Sequence, residues 1–188
     1  MSSDDEKEES TDNVYVVGND VYYYGDVTKG NVLEFNKVFR NLEKDLCKKA
    51  VDLDGYVPNI NVYISSDGGD IFSGMNAMDV MRRSKVHVTA IAEGACCSAA
   101  TFMLMGADRR LMGDHAYVLI HQLSTGFFGK YDDLRDEMDT CKKLMKMMKR
   151  VYRAETNIPK ETFKALMKKD VYLNAEECLT YGIVHGIA

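Results

Sequence analysis

Ile60, Val62 and Ile64 alternate with Asn61, Tyr63 and Ser65, a period of two that predicts a strand with one buried face. Upstream, Val14 to Val17 and Val21 to Tyr24 read as short strands on either side of Gly18-Asn19-Asp20. Phe35, Val38, Phe39, Leu42 and Leu46 then recur at helical spacing, with Asn31 as N-cap and Glu34 three residues on. "VDLDGYVPN" reads as loop. "SDGGD" breaks the alternating strand, and Met75, Met78 and Met81 mark the next helix. Val86 to Ala92 is a further strand, followed by a "GACCS" turn and a helix through Met105. Tyr117 to His121 reads as a strand. A long helix after it places Leu134, Met138, Cys141, Met145, Met148 and Tyr152 on one stripe, a signal of packed core or a subunit interface. Glu161 to Lys168 and Ala175 to Tyr181 read as shorter helices, the second with Asn174 and Glu177 as a capping pair, and Ile183 to Ile187 as a last strand. Strands alternating with helices predict a single α/β domain over residues 14–188 with a largely parallel sheet.

Charge changes this picture only at the start of the chain. Residues 1–12 carry six acids and one base, which equals the whole formal charge of −5, so residues 13–188 balance at 23 acids and 23 bases. Residues 1–13 therefore read as an acidic, disordered tail. A balanced remainder without a basic stripe argues against a nucleic-acid surface. No apolar run approaches the ~20 residues of a membrane span, and the N-terminus lacks the features of a secretory signal. The expectation is a cytoplasmic protein with no membrane partner. Five cysteines without CxxC spacing, and histidines scattered along the chain, yield no metal pattern, and no cofactor motif appears.

The chemistry-bearing stretch is "EGACCSAATFML", where Ser98 sits among the smallest side chains. It could cap the following helix, or be a nucleophile kept approachable. Ligands of parallel α/β sheets bind beyond the carboxyl ends of strands, and both "SSDGGD" and "GACCS" fall there. Backbone N–H groups at such a helix start suit the negative charge of an acyl-transfer transition state. Gly68-Gly69 fits either a tight turn or a backbone open to close approach. His121, ending "AYVLIHQ", is placed to act as a base, and Asp170 could orient it, although each has an ordinary structural reading too. Ser98 lacks the GxSxG elbow of α/β-hydrolases, and its order is Ser-His-Asp. Cys97, between apolar neighbours, should have a raised pKa and react poorly.

The run "INVYISSDGGDIFSGMNAMDVMRRSKVHVTAIAEGACCSAATFMLMGADRRLMGDHAYVLIHQ" closely resembles the Clp protease proteolytic subunit family. So do "DVYLNAEECLTYGIV" and the opening "VYYYGDVTKGNVLEF". The resemblance implies a crotonase-like (spiral ββα) fold and a serine endopeptidase acting on unfolded polypeptides. It implies Ser98 as nucleophile, His121 as general base and Asp170 as triad acid. Oxyanion donors would be the N–H groups of Gly69 and Ala99, with substrate contacts from Gly68, Ile71, Leu123, Ser124 and Thr125. It further implies a homo-oligomer of stacked heptameric rings that meet through the long helix, served by an AAA+ unfoldase. Asp67 stands where the family usually has proline, Ala99-Ala100 where it has Met-Gly, and Val171 where it has an arginine. Other readings are a processing peptidase of the phage head-maturation type, an acyl-CoA enzyme of the same fold, and an inactive ring subunit.

Overall fold

The computed structural model describes residues 13–188; the acidic segment lies outside the described residues. β1 (Val14–Val17) and β2 (Asp20–Tyr24) form an antiparallel hairpin about Gly18. From β2 onward the main path is parallel: β3 (Asn59–Ser66), β4 (His87–Cys97), β5 (Arg109–Met112), then the short C-terminal strand β8 (Gly186–Ile187). Between these come α1 (Lys29–Asp52), α2 (Ile71–Arg82) and α3 (Ala100–Met105). A branch off the path holds β6 (Tyr117–Leu119) and β7 (Tyr172–Leu173). The remaining helices are α4 (Tyr131–Glu155), α5 (Lys160–Leu166) and α6 (Ala175–Thr180).

β4 organises the molecule. Its first half pairs Thr89 to Ala92 with β5, and its last three residues pair Ala95 to Cys97 with β6. Gly94 lies between the two halves at φ 55, and the β3–β4 register shifts between Ile64 and Ser66. One strand thus serves two ladders, turning its C-terminal end out of the main sheet toward β6. The "GACCS" run expected as a turn is strand up to Cys97, because β6 supplies a partner for it; only Ser98 turns. The alternation read around Ile60 holds along all of β3, whose even-numbered residues Ile60 to Ser66 are buried. Phe35, Phe39 and Leu46 of α1 and Met78 and Met81 of α2 also enter the core.

Other boundaries moved for local reasons. α1 starts at Lys29, not after Asn31, because Thr28 is extended and its hydroxyl accepts the Asn31 N–H at 3.1 Å. β5 and β7 escape the periodicity reading. Arg110 places a guanidinium in the interior, where its Nε donates to Ile183 O and an Nη to Glu155 O, both at 2.8 Å. A buried arginine satisfied by carbonyls looks like a surface residue in a hydropathy pattern. β6 stops at Leu119, two residues before His121, and the last strand comprises Gly186–Ile187 alone. Asn174 and Glu177 do form a capping box for α6. On α4 the core stripe is confined to its C-terminal half: Met148 and Tyr152 are buried, whereas Leu134 and Met138 are exposed. Among the described residues, no helix is long and apolar enough to cross a membrane.

Candidate active site

Ser98 is the only non-glycine among the described residues with positive φ, at 53°. Its N–H donates to Leu119 O at 2.8 Å, and its carbonyl accepts from the Thr101 N–H at 3.1 Å and hydroxyl at 2.6 Å. Both backbone groups are thereby tied, one to β6 and one to α3. The side chain does not cap α3: that helix begins from Ala99 with no side-chain cap bond. A left-handed conformation costs a non-glycine residue on the order of 1 kcal/mol, so the neighbouring structure holds the hydroxyl against a local preference.

The loop after β3 packs against this turn. Gly68 has φ 99, and a Cβ there would lie 2.7 Å from both Cys97 O and Ser98 Cβ. Gly69, at φ 141, is pressed against the Val27 carbonyl in the same way. Val27 N–H donates to Gly68 O and Asp70 N–H to Val27 O, each at 2.7 Å, locking the loop to the start of α1. Between these bonds, the Gly69 N–H makes no hydrogen bond among the described residues, and neither does that of Ala99. Two free N–H groups near a hydroxyl are an anion-stabilising arrangement.

A cavity of about 90 Å³ is lined by Gly69, Ile71, Ser98, Ala99, Phe102, His121, Gln122, Leu123, Ser124 and Met148. His121 Nδ1 lies 3.9 Å from Asp170 Oδ1, within ion-pair range but longer than a hydrogen bond. The side chains differ in exposure, 23% for His121 against 79% for Asp170, so the carboxylate approaches the imidazole from the solvent side. The segment from Ile120 to Lys130 carries no strand, and Leu123 N–H donates to Met145 Sδ at 3.2 Å, fixing it to α4. The Thr101 and Tyr152 hydroxyls meet at 2.5 Å, joining α3 to α4 behind the serine.

Of the residues singled out in the sequence, Ser98, His121, Gly69, Ala99, Ile71, Leu123 and Ser124 share this cavity. Gly68 faces an adjoining groove instead, and Thr125 is turned aside, its hydroxyl donating to Glu137 Oε1 at 3.2 Å. Phe102, Gln122 and Met148 line the cavity without having been singled out for it. Met148 was visible as part of the α4 stripe; the other two offered only their closeness to Ser98 and His121 along the chain. Burial, with Asp67 adding to it, pushes the Cys97 thiol up to about 11, which leaves it protonated and a poor nucleophile near neutral pH.

Asp70 caps α2 beside this loop, accepting from the Ser73 N–H at 2.9 Å and hydroxyl at 2.5 Å. Burial acts to raise its pKa, but the bonds from Ser73 outweigh it and hold the carboxyl below the usual range. A depressed folded pKa contributes stability above the unfolded value, lost as pH falls through the folded one. Asp70→Ala should cost about 1 kcal/mol at pH 7, a typical capping loss. The gap from the unchanged chain should narrow below about pH 4, as urea melts at both pH values would reveal.

Comparison with known proteins places this arrangement. Residues 27–188 match the family model described as Clp protease. The chain belongs to the Clp protease family. The ATP-dependent Clp protease proteolytic subunit of Pleurastrum terricola is 34% identical over 129 residues, covering 68% of this chain and 66% of that protein. Its namesake from Deinococcus radiodurans is 32% identical over 130 residues, 68% of this chain and 64% of that protein. The matched region thus spans slightly under two thirds of these two relatives' own length. The namesake from Chlorella vulgaris, at 28% identity over 170 residues, is covered to 85%. A ClpP1 mutant from Listeria monocytogenes superposes with a TM-score of 0.77 at 20% identity, over 91% of each chain. The single-domain α/β fold expected from the resemblance is therefore the fold of this Clp protease family member.

Proposed function

We propose that this Clp protease family chain is a serine endopeptidase. In this reading His121 Nε2 takes the Ser98 hydroxyl proton as Ser98 Oγ attacks the carbonyl carbon of a peptide bond. Asp170, on the Nδ1 side, holds the imidazole in the required tautomer and stabilises the imidazolium that forms. The Gly69 and Ala99 N–H groups receive the oxyanion. His121 then returns the proton to the leaving amine, which departs as the C–N bond breaks. A water, deprotonated by His121, releases the acyl group and restores Ser98. The observation that carries this reading is Ser98 at φ 53, sharing one cavity with His121 and two uncommitted N–H groups. Such a conformation gives a serine no structural return, since the hydroxyl caps nothing.

Unfolded polypeptides are the substrates this family membership favours, cut within a homo-oligomer of heptameric rings, stacked through α4 and fed by an AAA+ unfoldase. The exposed Leu134 and Met138 on the outer turns of α4 support a covered position for that helix. The test is labelling with a fluorophosphonate together with native mass spectrometry. Covalent modification at Ser98, on particles of seven or fourteen copies, is the expected result. Recovery of unmodified Ser98 from a folded, ring-forming sample would refute the peptidase reading.

A further inference from the structure

We propose that the groove beside Gly68 and Gly69 selects substrates with a lysine or arginine close to the scissile bond, Asp67 being the specificity-determining residue. This rests on the peptidase reading and names its substrate class. The groove, of about 830 Å³, runs between the Asp26–Gly30 turn and the Asp67–Asp70 loop. Gly69 lines both the groove and the Ser98 cavity, so the two adjoin at that residue. On this proposal, an extended peptide with its carbonyl at Ser98 lays a neighbouring side chain past Gly69 into the groove.

The lining charges are Asp26, Asp67 and Asp70, with Lys29 the one cation. They are not equivalent. Asp70 is committed to Ser73. Asp26 accepts from the Tyr23 hydroxyl and the Asn31 amide through its backbone carbonyl, not its carboxylate. The carboxylates of Asp26 and Asp67 make no hydrogen bond or ion pair among the described residues. Asp67 is exposed, and its charge reaches the Ser98 turn strongly enough to help raise the Cys97 thiol. A carboxylate on a bound peptide meets repulsion here. A lysine or arginine can lay its methylene stem over the exposed Thr28, Gly30 and Gly69 while its charged end meets Asp67 and Asp26. Opposite charges at a solvent-exposed site of this kind discriminate modestly.

The test compares kcat/KM for matched fluorogenic peptides with Lys, Gln or Glu placed in turn at each position flanking the cut. The assembled enzyme should favour Lys over Gln by about fivefold at one or two positions. The preference should shrink in about 0.5 M salt, where exposed charges are screened. Asp67→Lys should invert the order, favouring Glu, an outcome that a merely structural role for Asp67 could not produce. Asp52→Asn neutralises a charge at the far end of α1, roughly 35 Å away by helix rise, and should leave the ratio unaltered. If Asp67→Lys does not fold, the Asp67→Asn and Asp26→Asn pair should bring the Lys-to-Gln ratio near one, and an unchanged ratio overturns the proposal. Equal rates on Lys and Glu peptides by an enzyme that cleaves both also overturn it, while leaving the peptidase reading intact. Failure to cleave any peptide or to label Ser98 would instead remove the peptidase reading itself.

Discussion

Ser98→Ala is expected to lower kcat for peptide hydrolysis by about four to six orders of magnitude. On the proposed mechanism the loss follows from removing the atom that forms the acyl bond, while the adjacent Cys97 thiol is held protonated by burial. The fold should survive: the Ser98 hydroxyl caps no helix, and the backbone bonds to Leu119 and Thr101 do not need it. Ser98→Gly sharpens the test. Glycine adopts φ 53 without penalty, so this inactive variant should gain about 1 kcal/mol over Ser98→Ala. For a chain of this length that is a melting temperature higher by about 2–4 °C. A glycine variant melting no higher than the alanine variant would show that the turn is unstrained. An alanine variant cutting at the original rate would remove Ser98 from the chemistry.

Gly68→Ala should be a severely damaging single-methyl addition, because it strikes the serine turn directly. The new Cβ would meet Cys97 O and Ser98 Cβ at 2.7 Å and Ala99 N at 3.1 Å. None of these atoms lies at the end of a flexible side chain, so relief requires moving the serine turn itself. Added to this is the strain of φ 99 for an alanine. Together these predict a loss of about 3 kcal/mol or more in urea denaturation. In whatever fraction folds, kcat should fall by at least about a hundredfold, the usual effect of displacing a reacting group by about 1 Å. Gly18→Ala is the matched control. Its φ of 63 carries similar strain, but nothing lies within 4 Å of the new Cβ, so it should cost stability of about 1 kcal/mol and spare turnover.

The contrast between Gly18 and Gly68 also explains what the sequence could reveal. Local rules see a glycine in a turn at both positions, and they were enough for the hairpin, for the alternation of β3 and for the capping pair that starts α6. They could not see that Gly68 is held against Ser98, because that contact joins the ends of two separate strands. For the same reason the "GACCS" run looked like a turn: its strand partner, β6, begins twenty residues further along. Arg110 hid β5 by placing a charge where the interior pattern calls for an apolar residue. Ser98 and His121 could be named from their surroundings, and the structure sets both in one cavity. Asp170 had no local distinction, and its relation to His121 became visible only through the distance between them. The α4 stripe was read as packed core or a subunit interface; Met148 and Tyr152 enter the core, but periodicity could not tell that Leu134 and Met138 stay exposed on this chain.

Those outer turns of α4 bear on how the protein must be handled. Just before the helix Phe128 stands clear of the rest of the chain beside the exposed Phe127, and Tyr131, Leu134 and Met138 follow within ten residues. Wherever a copy is alone in dilute solution, plastic walls and air–water boundaries compete for these greasy surfaces. Stocks are best kept concentrated or with a carrier, and specific activity is best normalised to the protein found in the tube after the assay.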